Sequence, residues 1–154
     1  MPRAPKPHRP SHQPQMQQQR RQQQDQRRES PTKRGYDERW ARHAHDLCYQ
    51  RVFCELCLTA GVETSIVRGK RHQAGGKRTG IVDHVVPAQG GQSDPLFWEV
   101  SNHRCLCIEC HNWKTIRFDG GHGKQKREAV RTVAGIEARW REVVSEYVTR
   151  HRRR

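Results

Sequence analysis

The chain has 154 residues, 32% of them hydrophobic, and its mean hydropathy is -1.13. That length leaves room for one domain with tails, and that composition excludes a large oily core. A net charge of +14 and a pI near 10.3 point to a polyanionic partner, since surplus Lys and Arg attract nucleic acid and release its condensed counterions. No apolar run of about 18 residues exists to span a membrane. The basic N-terminus lacks the apolar stretch of a secretory signal, so a cytoplasmic location is expected.

Residues 1–33 are rich in Pro, Gln and Arg and nearly free of bulky apolar side chains. They cannot bury enough surface to offset chain entropy, so a disordered basic tail is expected, lying along a phosphate backbone. Next, Tyr36, Trp40, His43 or Ala44, and Leu47 recur at intervals of three and four, which predicts a helix of about three turns. Val52 and Phe53 lead into Cys54-x-x-Cys57. Arg68 to Gly80 is expected as a basic, Gly-rich loop, with Arg68, Lys70, Arg71, Lys77 and Arg78 as candidate DNA contacts. Ile81 to Val86 is β-branched around a polar pair and closed by Pro87, which predicts a short strand.

After Gly90-Gly91, Asp94-Pro95 reads as a helix N-cap followed by Pro at the first helical position. One or two turns through Leu96, Phe97 and Trp98 are expected. Ile108 to Phe118 reads as a helix ended by Gly120-Gly121. Val133, Ile136, Trp140, Val143 and Tyr147 predict an amphipathic helix within 125–149, part of a C-terminal segment 124–154 with a basic end. Its narrow apolar seam suits packing on the domain or on a partner helix.

Six cysteines without a secretion signal argue for metal rather than disulfides. Cys54, Cys57, Cys107 and Cys110 form two Cys-x-x-Cys knuckles. Four thiolates close a tetrahedral zinc site with no open coordination position, so such a zinc is structural. Cys48 and Cys105 are left as core residues or free thiols.

Asp83-His84 places two polar groups in an apolar strand, where burial is unfavourable unless both find partners. Asp83 is a hard oxygen donor suited to Mg2+ or a similar cation, and His84 a candidate general base. The bland alternative is a satisfied Asp–His hydrogen bond at a strand end. Neighbours on a strand point to opposite faces, so both serve one site only where the strand ends or bends. On a helix, adjacent residues differ by about 100°, so Cys110 can face zinc while His111 turns toward the Asp83 strand as a second metal ligand.

The order Cys-x-x-Cys, Asp83-His84, Gly90-Gly91, Leu96-Phe97-Trp98, Asn102, Cys107-x-x-Cys110-His111-x-x-Lys114 resembles the HNH endonuclease family. It is most similar to small phage-type members encoded beside a terminase. Arg34-Gly35-Tyr36 and Asp119-Gly-Gly-His-Gly123 resemble their edges, so the likeness covers roughly residues 34–123. It implies an α+β fold with a ββα-metal core, a structural four-cysteine zinc site and flanking helices. It also implies a metal-dependent DNA endonuclease.

In that resemblance His84 is the general base, and Asp83 and His111 hold Mg2+ or another divalent cation such as Mn2+ or Ni2+. Asn102 fastens the loop and Lys114 contacts phosphate. DNA is the implied substrate, the terminase large subunit an implied partner, and the bacterial host cytoplasm the implied setting. The 68–80 insertion and His103-Arg104 depart from the family pattern. The competing reading is a non-catalytic zinc-containing module that binds nucleic acid, with Asp83-His84 a structural pair. The combined presence of Asp83, His84, Asn102 and His111 favours the enzyme, and oligomeric state stays open.

Overall fold

The computed structural model describes residues 32–71, 76–121 and 127–151, together with residues 19 and 30. Most of the predicted tail over 1–33 lies outside the described residues, as do residues 72–75 of the basic stretch, residues 122–126 and the basic end at 152–154. The described chain is mixed α+β, with small antiparallel sheets and a four-cysteine cluster. No described helix is long and apolar enough to cross a membrane.

Helix α1 (Glu38–Gln50) starts where the Asp37 carboxylate accepts a hydrogen bond from Trp40 N at 3.0 Å. It buries Trp40, Ala44, Leu47 and Cys48, one face of a helix at spacings of four, three and one. The short helix α2 (Glu55–Thr59) follows, with Cys54 as its N-cap.

The stretch expected as a loop is partly a hairpin. Strands β1 (Val67–Arg68) and β2 (Lys77–Arg78) pair antiparallel, Val67 opposite Arg78. Buried Ile66 anchors the pair by accepting from Thr79 N and Gly80 N, both at 2.8 Å. Only glycine fits at 80, because a Cβ there would lie 2.5 Å from that of Ile66.

Strands β3 (Ile81–His84) and β4 (His103–Leu106) form the second sheet, Asp83 opposite Arg104 and His84 opposite His103. Helix α3 (Ile108–Phe118) follows at once, with Cys107 as its N-cap. The strand predicted to reach Val86 ends at His84 because Asn102 takes over the backbone. Its main-chain oxygen accepts from Val85 N and its side-chain oxygen from Val86 N, both at 2.8 Å.

The helix predicted through residues 96–98 does not form. A 3-10 turn occupies Gly91–Ser93 and an irregular turn residues 95–97. Buried Asp94 still accepts from Leu96 N at 2.9 Å, but its carboxylate also binds Gln89 N and the Arg131 guanidinium. A carboxylate that ties three segments together fixes a loop rather than capping a helix.

Helix α4 (Val133–His151) starts later than expected, and residues 127–132 are not helical. Val143 and Tyr147 enter the main core beside Trp40, Leu47, Phe97 and Phe118, while Ile136 joins Val85, Val86 and Leu96 in a smaller cluster. From Ile136 onward the apolar seam is thus occupied by the domain itself, while Val133 at its start stays exposed.

Candidate functional site

Both cysteine pairs open helices. Cys54 and Cys57 sit at the start of α2, and Cys107 and Cys110 at the start of α3. The four buried sulfurs all lie within 4.8 Å of one another. Cys57 Sγ is 3.9 Å from Cys107 Sγ and 3.6 Å from Cys110 Sγ. Zinc–sulfur bonds of about 2.3 Å at tetrahedral angles put sulfurs about 3.8 Å apart, so the donor set fits a structural metal ion such as zinc. The thiols share protons unevenly: hydrogen bonding with Cys110 holds Cys54 down to about 5, while burial pushes Cys107 up to about 12. A bound dication would let all four ionise.

Tyr147 of α4 completes this surrounding shell, its hydroxyl 3.2 Å from Cys110 Sγ and 3.7 Å from Cys57 Sγ. Burial raises Tyr147, so the phenol keeps its proton; its oxygen accepts from the Cys110 thiol, and its hydroxyl can donate to sulfur where a metal ionises the thiols. Cys48 and Cys105 lie elsewhere in the core, their sulfurs 3.9 Å apart and fully buried.

Next to this cluster, an open cleft of about 590 Å3 is lined by Asp83, His84, His111 and Asp119, with Arg34 and Tyr36 also on its wall. Asp83 and His84 lean to opposite sides of β3, yet both reach the cleft because the strand ends there. Asp83 Oδ1 lies 3.7 Å from His111 Nε2 on α3, and its Oδ2 lies 2.8 Å from Lys114 Nζ. The first gap is too wide for a hydrogen bond. It suits two ligands of one cation at about 2.1 Å each, which sit about 3–4 Å apart. His111 Nδ1 is buried without a hydrogen-bond partner.

Lys114 requires a correction. Expected to contact phosphate, it is fully buried, its ammonium 2.8 Å from both Asp83 Oδ2 and Asp119 Oδ2 and donating to His84 O at 2.9 Å. Burial would push its pKa down, but the two carboxylates outweigh that and raise it. A charged side chain held this way cannot reach DNA. Two carboxylates against the buried ammonium and the Arg34 guanidinium on the wall leave the cleft formally near neutral, on a protein of net +14.

His84 is 4% exposed and stacked on Trp40, ring centroids 4.9 Å apart. Its Nε2 lies 3.0 Å from Phe97 O. A carbonyl only accepts, so Nε2 carries the proton and Nδ1 keeps the lone pair. Burial lowers the pKa of His84, so the imidazole is neutral at pH 7.

Asn102, fully buried, fastens the β3–β4 connection. Besides accepting from Val86 N, its amide donates to Val86 O and Leu96 O, both at 3.0 Å. Of the candidate DNA contacts, Arg68, Lys70, Arg71 and Lys77 are exposed, and Arg71 pairs with Asp46 at 2.5 Å. Arg78 is half-buried beside the Cys48 thiol.

Asp119, His43, His103 and Tyr147 were not picked out as site residues by motif. Asp119 opens the Asp-Gly-Gly edge, and His43 shares the inner face of α1 with Trp40, so both carried a faint signal. His103 stands out in the sequence only as a departure from the family pattern and Tyr147 only as a seam residue, because their partners are set by tertiary packing. No protein-family model, curated protein or solved structure matches this chain.

Proposed function

We propose that this protein is a metal-dependent DNA endonuclease of the HNH type, with zinc holding the fold and a second, exchangeable cation at the cleft. The observation that carries this reading is His84: a neutral imidazole with its lone pair on Nδ1, in the cleft that Asp83 and His111 share. The β3–β4 pair followed by α3 supports a ββα-metal core, and the net charge supports a nucleic-acid substrate.

In this reading His84 Nδ1 takes a proton from water, which attacks phosphorus in line with the departing 3′ oxygen. Asp83 and His111 would hold a divalent cation, which when bound would supply positive charge to the crowded phosphate. Mg2+, Mn2+ or Ni2+ has the hard or borderline character this oxygen–nitrogen pair takes. Lys114 orients Asp83 and compensates part of its charge. Asn102 keeps the 85–102 connection closed over the strand end. The exposed basic residues of the β1–β2 hairpin contribute phosphate contacts, and a terminase is the partner the phage-type resemblance suggests.

A second reading is a zinc module that binds nucleic acid without cleaving it. It is favoured by one observation: the protein itself supplies Asp83 with a counterion, the Lys114 ammonium 2.8 Å from its Oδ2. Supercoiled plasmid separates the two. With Mg2+ or Mn2+, wild type is expected to nick or linearise it, and His84→Ala to be at least about 100-fold slower while binding DNA equally. Equal cleavage by both proteins would remove His84 from the mechanism. Salt-dependent binding with no cleavage under any cation would establish the second reading.

A further inference from the structure

Behind His84 lie two histidines to which hydrolysis gives no role. His103 is fully buried on β4, directly across the sheet from His84, and His43 is half-buried on α1. His43 Nε2 lies 3.0 Å from His103 Nδ1. His103 Nε2 lies 2.8 Å from Phe97 O, the same carbonyl that His84 meets at 3.0 Å.

These contacts fix every proton. The Phe97 carbonyl has two lone pairs and no hydrogen, so His84 and His103 each donate to it from Nε2. Burial holds His103 down to about 4, leaving it neutral at pH 7 with Nδ1 as an acceptor. His43 must therefore donate from its own Nε2. A proton wire is excluded, because the chain ends on a carbonyl that cannot pass a proton onward.

What the arrangement fixes is direction. Phe97 lies in an irregular turn, and no strand ladder aims its carbonyl. The two imidazoles hold it from either side, and Trp40 packs against all three histidine rings at centroid distances of 4.9–5.5 Å. An apolar residue at 103 would fill the same space without the cost of burying a polar ring, so the buried imidazole calls for an explanation.

We propose that His103, oriented by His43, is a positioning residue that fixes the Phe97 carbonyl so that His84 keeps Nε2 protonated and Nδ1 free for water. This rests on the hydrolytic role given to His84 above, but the tautomer is measurable without any activity.

The test uses zinc-loaded full-length protein, with two readouts: 15N imidazole NMR for the tautomer of His84, and kcat and KM for plasmid cleavage with Mg2+. His103→Leu removes the second donor, His103→Gln keeps an N–H of similar reach, and His43→Phe loosens the clamp from its half-buried end. Wild-type His84 is expected as a single Nε2–H tautomer, and His103→Leu and His43→Phe as mixtures. Their kcat should fall about tenfold with KM unchanged, because a small misplacement of a base is felt in the chemical step. His103→Gln should restore most of that loss.

A single Nε2–H tautomer in both loosened variants, or an unchanged kcat, would overturn the proposal. Should His103→Leu fail to fold, His43→Phe decides alone. If wild type cleaves nothing, the NMR readout still decides the clamp while the hydrolytic reading fails separately.

Discussion

Lys114 shows how strongly burial changes what a charge can do. On the surface its ammonium would be a mobile phosphate contact; inside, it is a fixed counterion for Asp83 and Asp119 and a donor to the His84 carbonyl. Removing one member of a buried ionic group leaves the others uncompensated, at a cost of about 3–5 kcal/mol. Lys114→Met should therefore lower stability to urea by about that amount and leave the salt dependence of DNA binding unchanged. Unaltered stability with a salt slope weaker by about one contact would instead mark a phosphate ligand.

His84 gives a second expectation at the same scale. Burial lowers its pKa, so the neutral base persists to lower pH than an ordinary imidazole. In the proposed mechanism only the unprotonated imidazole is active, so the acid limb of kcat/KM should lie below about pH 6.5. A limb at or above that value would mean another group is the base.

At the scale of elements, helices announced themselves by spacing. The boundaries of α3 were legible from its apolar pattern and the glycines beyond it, where Gly120 adopts a φ of 77°. The inner face of α1 was equally clear. The cysteine pairs were legible because a metal site repeats a short local pattern, and the structure gathers the four sulfurs. Asp94 misled because its carboxylate serves three segments, one of them 37 residues away at Arg131, and local propensity cannot report that. The His43–His103 contact was illegible for a similar reason: it joins residues 60 positions apart.

Helix α4 belongs to the same scale. Its seam allowed either a partner or the domain, and Tyr147 against the cysteine sulfurs makes it part of the domain. Truncation after residue 126 should therefore broaden or abolish cooperative thermal unfolding and weaken metal retention, both readable on one preparation by circular dichroism and metal analysis. A truncated protein that melts sharply and keeps its metal would show α4 to be an appended arm.

For the whole molecule, the governing fact is a small core in a charged chain. Main-core residues from α1, α2, β3, β4, α3 and α4 meet around the cysteine cluster. Structural zinc in small domains is worth about 10–16 kcal/mol to folding, enough to offset what so little apolar burial leaves short. In the proposed function the chemistry is divided between two ions, one locked in by thiolates and one exchangeable at an oxygen–nitrogen pair.

The most direct test keeps both ions in view: plasmid cleavage by a preparation whose zinc content is measured alongside, with Mg2+ added and then withdrawn by mild chelation. The expected result is one tightly held zinc per chain throughout, cleavage that appears and disappears with Mg2+, and loss of cleavage in His84→Ala at unchanged zinc content. Cleavage that tracks zinc loading and ignores Mg2+, or that survives in His84→Ala, would contradict it.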